Sequence, residues 1–153
     1  MRYAFDRVFD ENCTQEDVFT HTAKPLLDGV LDGFNATVFA YGATGCGKTH
    51  TIRSRISWML IDDSGNPENP GLIYLTTQEL FERCAAKTDK KIDITLSFLE
   101  IYNETIRDLL IPIEDSKPLQ LREDANQRIT VPGLTTATPV TVFRSSKPGL
   151  TIG

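Results

Sequence analysis

Ala36-Thr37-Val38-Phe39-Ala40-Tyr41-Gly42-Ala43-Thr44-Gly45-Cys46-Gly47-Lys48-Thr49 is the stretch on which the fold turns. Its first six residues form an apolar run without clean alternation, rich in β-branched and aromatic side chains. Such a run reads as a buried strand covered on both faces, as in an α/β sheet. It leads straight into Gly42–Thr49, which matches G-x-x-x-x-G-K-[ST] at every fixed position. Glycines there let backbone N–H groups approach phosphate oxygens, where a side chain would block the approach or forbid a positive φ. Lys48 is placed to reach the β- and γ-phosphates as a point charge, and the Thr49 hydroxyl to bind Mg²⁺. A helix beginning near Lys48 adds its positive end. The bland alternative is a chance glycine-rich turn before a helix. The strand before it and the helix start after it argue for the phosphate loop.

Within the loop, Cys46 reads as a small residue at a variable position rather than a reactive thiol. His50 is placed either to line a base pocket or to sit on the helix surface, and the sequence does not choose. The candidate nucleotide-binding residues are therefore Gly42, Ala43, Thr44, Gly45, Cys46, Gly47, Lys48, Thr49 and His50, with Thr49 also the metal candidate.

Outward from the loop, Tyr3–Phe9 reads as a short strand. Thr14-Gln15-Glu16-Asp17 reads as a helix start, with Thr14 the N-cap and Asp17 the acid of a capping box. Pro25 predicts a kink or restart, and Gly33 a stop. Leu72–Arg83 carries helical spacing, and Ile92–Tyr102 alternates as a half-buried strand. Leu119–Glu123 and Gln127–Val131 form a hairpin across Asp124-Ala125-Asn126. Cys13 and Cys84 are expected as buried small residues, and His21 as solvated. The order of elements favours an α/β fold.

The 153 residues are 40% apolar and 24% charged, enough for a core and unlike a disordered chain. Sixteen Lys and Arg against 21 Asp and Glu give a net charge of −5, which excludes an overall basic nucleic-acid binder. No apolar run approaches the roughly 18 residues of a membrane span. The opening MRYAFDRVFDEN lacks the apolar core of a secretory leader, so none is expected. Three cysteines and two histidines in no ligand pattern give no zinc site and suggest a reducing compartment.

Phe5-Asp6-Arg7-Val8-Phe9 with Gln15–Phe19, Gly33–Gly42 and Gly47–Thr51 resembles the kinesin motor domain. Leu96–Leu110 resembles a second kinesin signature, and Leu121–Asp124 with Val131–Leu134 a third. The likeness covers most of residues 3–138. The loop variant Gly42–Cys46 and Pro70–Leu75 look most like the kinesin-eight (Kip-type) branch, whose members walk toward microtubule plus ends and limit microtubule length. The resemblance implies a P-loop NTPase fold with a mixed central sheet flanked by helices. It implies ATP and Mg²⁺ as ligands, ATP hydrolysis coupled to microtubule-based movement, and a place on the cytoplasmic cytoskeleton. It makes Arg122 and Arg128 on the hairpin candidate tubulin contacts, the alternative being a solvated hairpin. It gives Asn103–Leu110 a mainly structural part. Another P-loop enzyme such as a small-molecule kinase, or a non-catalytic fragment, are the competing readings; no lid arginine cluster supports the kinase.

Departures from the family's pattern shape further expectations. The 153 residues hold no Asn-x-x-Ser-Ser-Arg-Ser-His and no Asp-x-Ala-Gly-Ser-Glu. These are the switch motifs, so no catalytic residue is assigned and the chain is expected to be an incomplete motor domain without useful turnover. The strand neighbours of residues 38–41 belong to the missing portion, so that segment is expected to show unpaired edges and the chain to be poorly soluble. Stretches 53–63 and 139–153 are atypical. They read as gene-model or splicing artefacts, against a genuine insertion that would extend the P-loop helix.

Overall fold

The computed structural model describes residues 2–52, 70–87, 92–140 and 149–152, so the atypical stretch 53–63 lies outside the described residues. The chain divides into two units, residues 1–90 and 91–153.

In the first unit, α1 (Gln15–His21) begins as the sequence predicts. The Thr14 hydroxyl accepts from the Asp17 amide at 3.1 Å, and the Asp17 carboxylate accepts from the Thr14 amide at 2.9 Å. The chain leaves α1 at Thr22 and restarts after Pro25 as α2 (Leu26–Leu31), so the proline separates two helices. Gly33, at φ 99°, stops α2. The Phe34 amide donates to Gly29 O and the Gly33 amide to Val30 O, the two bonds of a Schellman motif. The short α3 (Lys48–Ile52) follows the glycine-rich turn. The longest helix among the described residues, α4 (Leu72–Ala86), runs three residues beyond the predicted Arg83. Phe19, Ala23, Leu27, Leu72 and Leu75 make the core, with Val18, Ile52, Tyr74 and Leu80 against it. At its rim Arg83 pairs with both Asp28 and Glu79, and Lys24 pairs with Glu79 at 3.0 Å.

Two predicted strands do not form. Residues 3–9 are extended without a ladder. Residues 36–41, expected to be a covered strand, are likewise without ladder bonds among the described residues. Phe39 is 80% and Tyr41 94% exposed. The reason is that a strand is a product of pairing; a run of apolar β-formers without a neighbouring edge has nothing to close its N–H and C=O groups.

In the second unit, β1 (Leu99–Tyr102) and β2 (Thr105–Asp108) form an antiparallel hairpin. The predicted strand from Ile92 is regular only from Leu99, with one bridge from Leu96 to Ala137. The expected second hairpin is present as β3 (Arg122–Glu123) and β4 (Ile129–Thr130). Into the atypical stretch 139–153, β5 (Ala137–Val140) pairs with β6 (Gly149–Ile152). The described strands thus make three antiparallel pairs, and the mixed central sheet is not among them. Ile106, Leu110 and Ala137 are buried here, together with the carboxylate of Asp108.

Candidate functional site

The glycine-rich loop has the backbone its sequence demands. Gly45 and Gly47 sit at φ 81° and 90°, where a Cβ would be strained. At Gly42 a Cβ would meet Cys46 Sγ, the end of an exposed side chain that would have to turn aside. The turn closes as the Cys46 amide donates to Ala43 O at 3.3 Å. Cys46, read from sequence as a small residue at a variable position, therefore has its sulfur beside Gly42. Its side chain is exposed, as are Ala43, Thr44, Gly45, Thr49 and His50.

Lys48 is the first residue of α3 and is half-buried. Its Nζ donates to Gly42 O at 2.8 Å and Ala43 O at 2.7 Å, and lies 3.9 Å from Cys46 Sγ. The ammonium is thus held across the mouth of the loop by acceptors the loop itself supplies. Exchange of these carbonyls for anionic oxygens would replace neutral acceptors by charged ones, the stronger kind of hydrogen bond. Beside the loop is an open cleft of about 280 Å³, lined among others by Val38, Phe39, Lys48, Thr51, Ile52 and Leu72.

The first unit also brings to the loop a residue that the sequence placed only at a helix start. Gln15, 8% exposed, reaches from α1 to α3. Its Nε2 donates to His50 O at 2.6 Å and lies 3.3 Å from His50 Nδ1. A glutamine in the first turn of a helix carries no sequence signal for this contact, because the two residues stand 35 positions apart. His21, expected to be solvated, is exposed, and its Nδ1 is 2.8 Å from Asp17 O. Cys13 and Cys84 depart from expectation: Cys13 is exposed and Cys84 half-buried. Cys13 closes the turn that enters α1, its amide donating to Asp10 O at 3.2 Å, next to the Thr14 cap.

In the second unit, Arg122 and Arg128 lie on the hairpin whose residues 121–130 are all exposed. Arg128 O accepts from the Asp124 amide at 2.9 Å, while Asp124 Oδ1 accepts from the Asn126 and Arg128 amides. The aspartate therefore builds the turn and leaves both guanidinium groups at the surface. Among the described residues no group of His, Cys, Asp and Glu forms a metal cluster, and no helix is long and apolar enough to cross a membrane.

A positive-φ glycine loop, a lysine across it and a hydroxyl one residue on form a donor set that fits a polyphosphate with a divalent cation. Comparison with known proteins places this loop in a family. The chain is 63% identical over 142 residues to Kinesin-like protein 5 of Schizosaccharomyces pombe, covering 91% of this chain and 15% of that protein. It is 50% identical to Kinesin-like protein KIP3 of Saccharomyces cerevisiae, over 93% of this chain and 16% of the relative. It is 47% identical to mouse Kinesin-like protein KIF18B, over 88% and 14%. The chain therefore spans about one seventh of the length of these relatives. The resemblance to the Kip-type branch holds, with KIP3 itself among the matches. The family model described as Kinesin motor domain matches residues 1–146, and the chain belongs to that family.

Proposed function

We propose that this chain carries the ATP- and Mg²⁺-binding corner of a microtubule motor. The observation that carries the reading is the loop itself: glycines at positive φ on either side of Cys46, with Lys48 held over the loop mouth. The amides of Gly42–Gly47 and the Lys48 ammonium would hold the β- and γ-phosphates, and the Thr49 hydroxyl the Mg²⁺. The bound cation supplies charge neutralisation between the phosphates. Arg122 and Arg128 are the proposed tubulin contacts, since both are exposed on a hairpin free of packing duties.

Binding and hydrolysis call for different parts. Binding needs the cradle. Hydrolysis needs a positioned water and donors aimed at developing charge, and loss of one such donor costs on the order of 10²–10³ in rate. The 153 residues contain neither switch motif, so these residues by themselves are proposed to bind nucleotide without useful turnover. ATP-driven movement belongs to the motor domain as a whole.

Titration calorimetry of the chain with ATP, with and without Mg²⁺, tests the reading. Lys48→Ala removes two charge-assisted contacts to phosphate and is expected to weaken Mg·ATP binding about ten- to a hundred-fold. Absence of Mg²⁺-dependent binding, or indifference to Lys48→Ala, would overturn it. Pelleting of the whole protein with microtubules, with and without a non-hydrolysable ATP analogue, tests the motor assignment; nucleotide-independent failure to pellet sinks it.

A further inference from the structure

The β3–β4 hairpin of the second unit carries a hydroxyl beside its two arginines. Register pairs Arg122 with Thr130 and Glu123 with Ile129. The Asp124 amide donates to Arg128 O, which carries the pairing one residue further toward the turn. Side chains alternate between the faces of a strand, and residues paired across it share a face. Arg122 and Thr130 therefore share one face with Asp124 and Arg128, while Glu123 and Ile129 belong to the other. Asp124 turns its Oδ1 onto the Asn126 and Arg128 amides. Neither guanidinium forms an ion pair among the described residues. What that face offers is two cations and the Thr130 hydroxyl, which donates to Arg122 O at 3.2 Å.

The hydroxyl is also within reach of an enzyme. Residues 121–130 are exposed throughout, and β3 and β4 are two residues long. So short a ladder opens at little cost and frees an extended segment around Thr130. In sequence that segment reads Arg128-Ile129-Thr130-Val131, a base two positions before the acceptor. Among the described residues no other Ser or Thr follows an Arg or Lys by two.

We propose that Thr130 is a phosphorylation site for a basophilic serine/threonine protein kinase, and that its phosphate closes onto Arg122 and Arg128 and withdraws both from an acidic partner; that this partner is tubulin rests on the reading above. In the transfer the bond from the γ-phosphorus of ATP to the ADP oxygen breaks and the Thr130 Oγ1–P bond forms. The hydroxyl proton passes to the base of the kinase. The product carries a charge of about −2 and three strong acceptor oxygens. Two guanidinium groups on the same face match that charge and supply its donors. The face then has no free cation to offer.

Incubation of the full chain with Mg·ATP and the catalytic subunit of cyclic-AMP-dependent protein kinase, which reads a basic residue at this spacing, tests the site. Tandem mass spectrometry is expected to place phosphate on Thr130, with none there in Thr130→Val. Transfer to Arg128→Gln should be about ten-fold slower. Ser57 and Ser146 also follow an arginine by two, so phosphate confined to them would overturn the assignment. Phosphorus-31 titration then reads the pairing. The second ionisation of the phosphate should lie below that of a phosphorylated peptide of residues 126–134, and Arg122→Gln should raise it. An ionisation equal to the peptide's would overturn the proposal even with Thr130 modified. Pelleting of the whole protein with microtubules should weaken about ten-fold on phosphorylation, and Thr130→Val should be indifferent to the kinase. If Arg122→Gln with Arg128→Gln pellets like the unaltered protein, the tubulin reading fails, while the mass and phosphorus spectra judge the phosphorylation separately. If that double variant pellets poorly but the phosphorylated protein pellets normally, the proposal is wrong.

Discussion

Asp108 is 2% exposed and receives two backbone donors, the Leu110 amide at 2.8 Å on Oδ1 and the Thr135 amide at 2.7 Å on Oδ2. Burial pushes its carboxyl up, but hydrogen bonding from Thr135 and from the Leu110 amide outweighs this and holds it below the usual range. A carboxyl lowered in the folded state adds stability that is complete above the ordinary carboxylate range. That stability is lost as pH falls through that range toward the folded value. Amide exchange around Leu110 and Thr135 should therefore accelerate on acidification. Asp108→Asn should flatten that dependence and cost about 1–3 kcal/mol, because its oxygen can accept from one of the two amides while its NH₂ faces the other, donor against donor. Unchanged acid sensitivity in the variant would contradict this. At the same scale the candidate site was partly legible. Every loop residue from Gly42 to Thr49 could be named from the motif. Gln15 could not, since its contact depends on a carbonyl and a ring nitrogen 35 residues away.

Among the elements, α1 and α2 were readable because their ends are local chemistry. The Thr14–Asp17 box, Pro25 and Gly33 act within a few residues of themselves. The Asp17 carboxyl is lowered chiefly by its hydrogen bond with the Thr14 side chain, a contact three residues apart. The turn between β1 and β2 is less legible. Asn103 and Glu104 lie at φ 48° and 61°, two positive angles in a two-residue loop, as a type I′ turn requires. Asn tolerates this, whereas Glu does so only under strain. Glu104→Gly should stabilise the β1–β2 hairpin by about 1 kcal/mol, seen as slower amide exchange at Leu99–Tyr102. Faster exchange would mean that the Glu104 side chain contributes more than its backbone costs.

For the whole molecule, the decisive feature is what residues 34–41 leave uncovered. Phe34 is 73%, Phe39 80% and Tyr41 94% exposed, on a backbone with no ladder among the described residues. An apolar extended segment of this kind is a template for pairing with another copy. Sedimentation velocity of the chain should show association that grows with concentration, and Phe39→Lys with Tyr41→Lys should shift it toward monomer. Monomeric behaviour in both chains would show that the segment is covered in solution. By itself the amino-acid order determined the glycine-rich turn, the helix boundaries and the family. Each of these is written in residues a few positions apart, or in a pattern that backbone sterics and charge impose on the spot. Tertiary structure decided whether Val38–Tyr41 became a strand, which way the Gln15 amide faces His50, and that Cys46 stands beside Gly42. All three depend on a partner group that the chain must first bring close, and hydrogen bonds and van der Waals contact act only over a few ångströms.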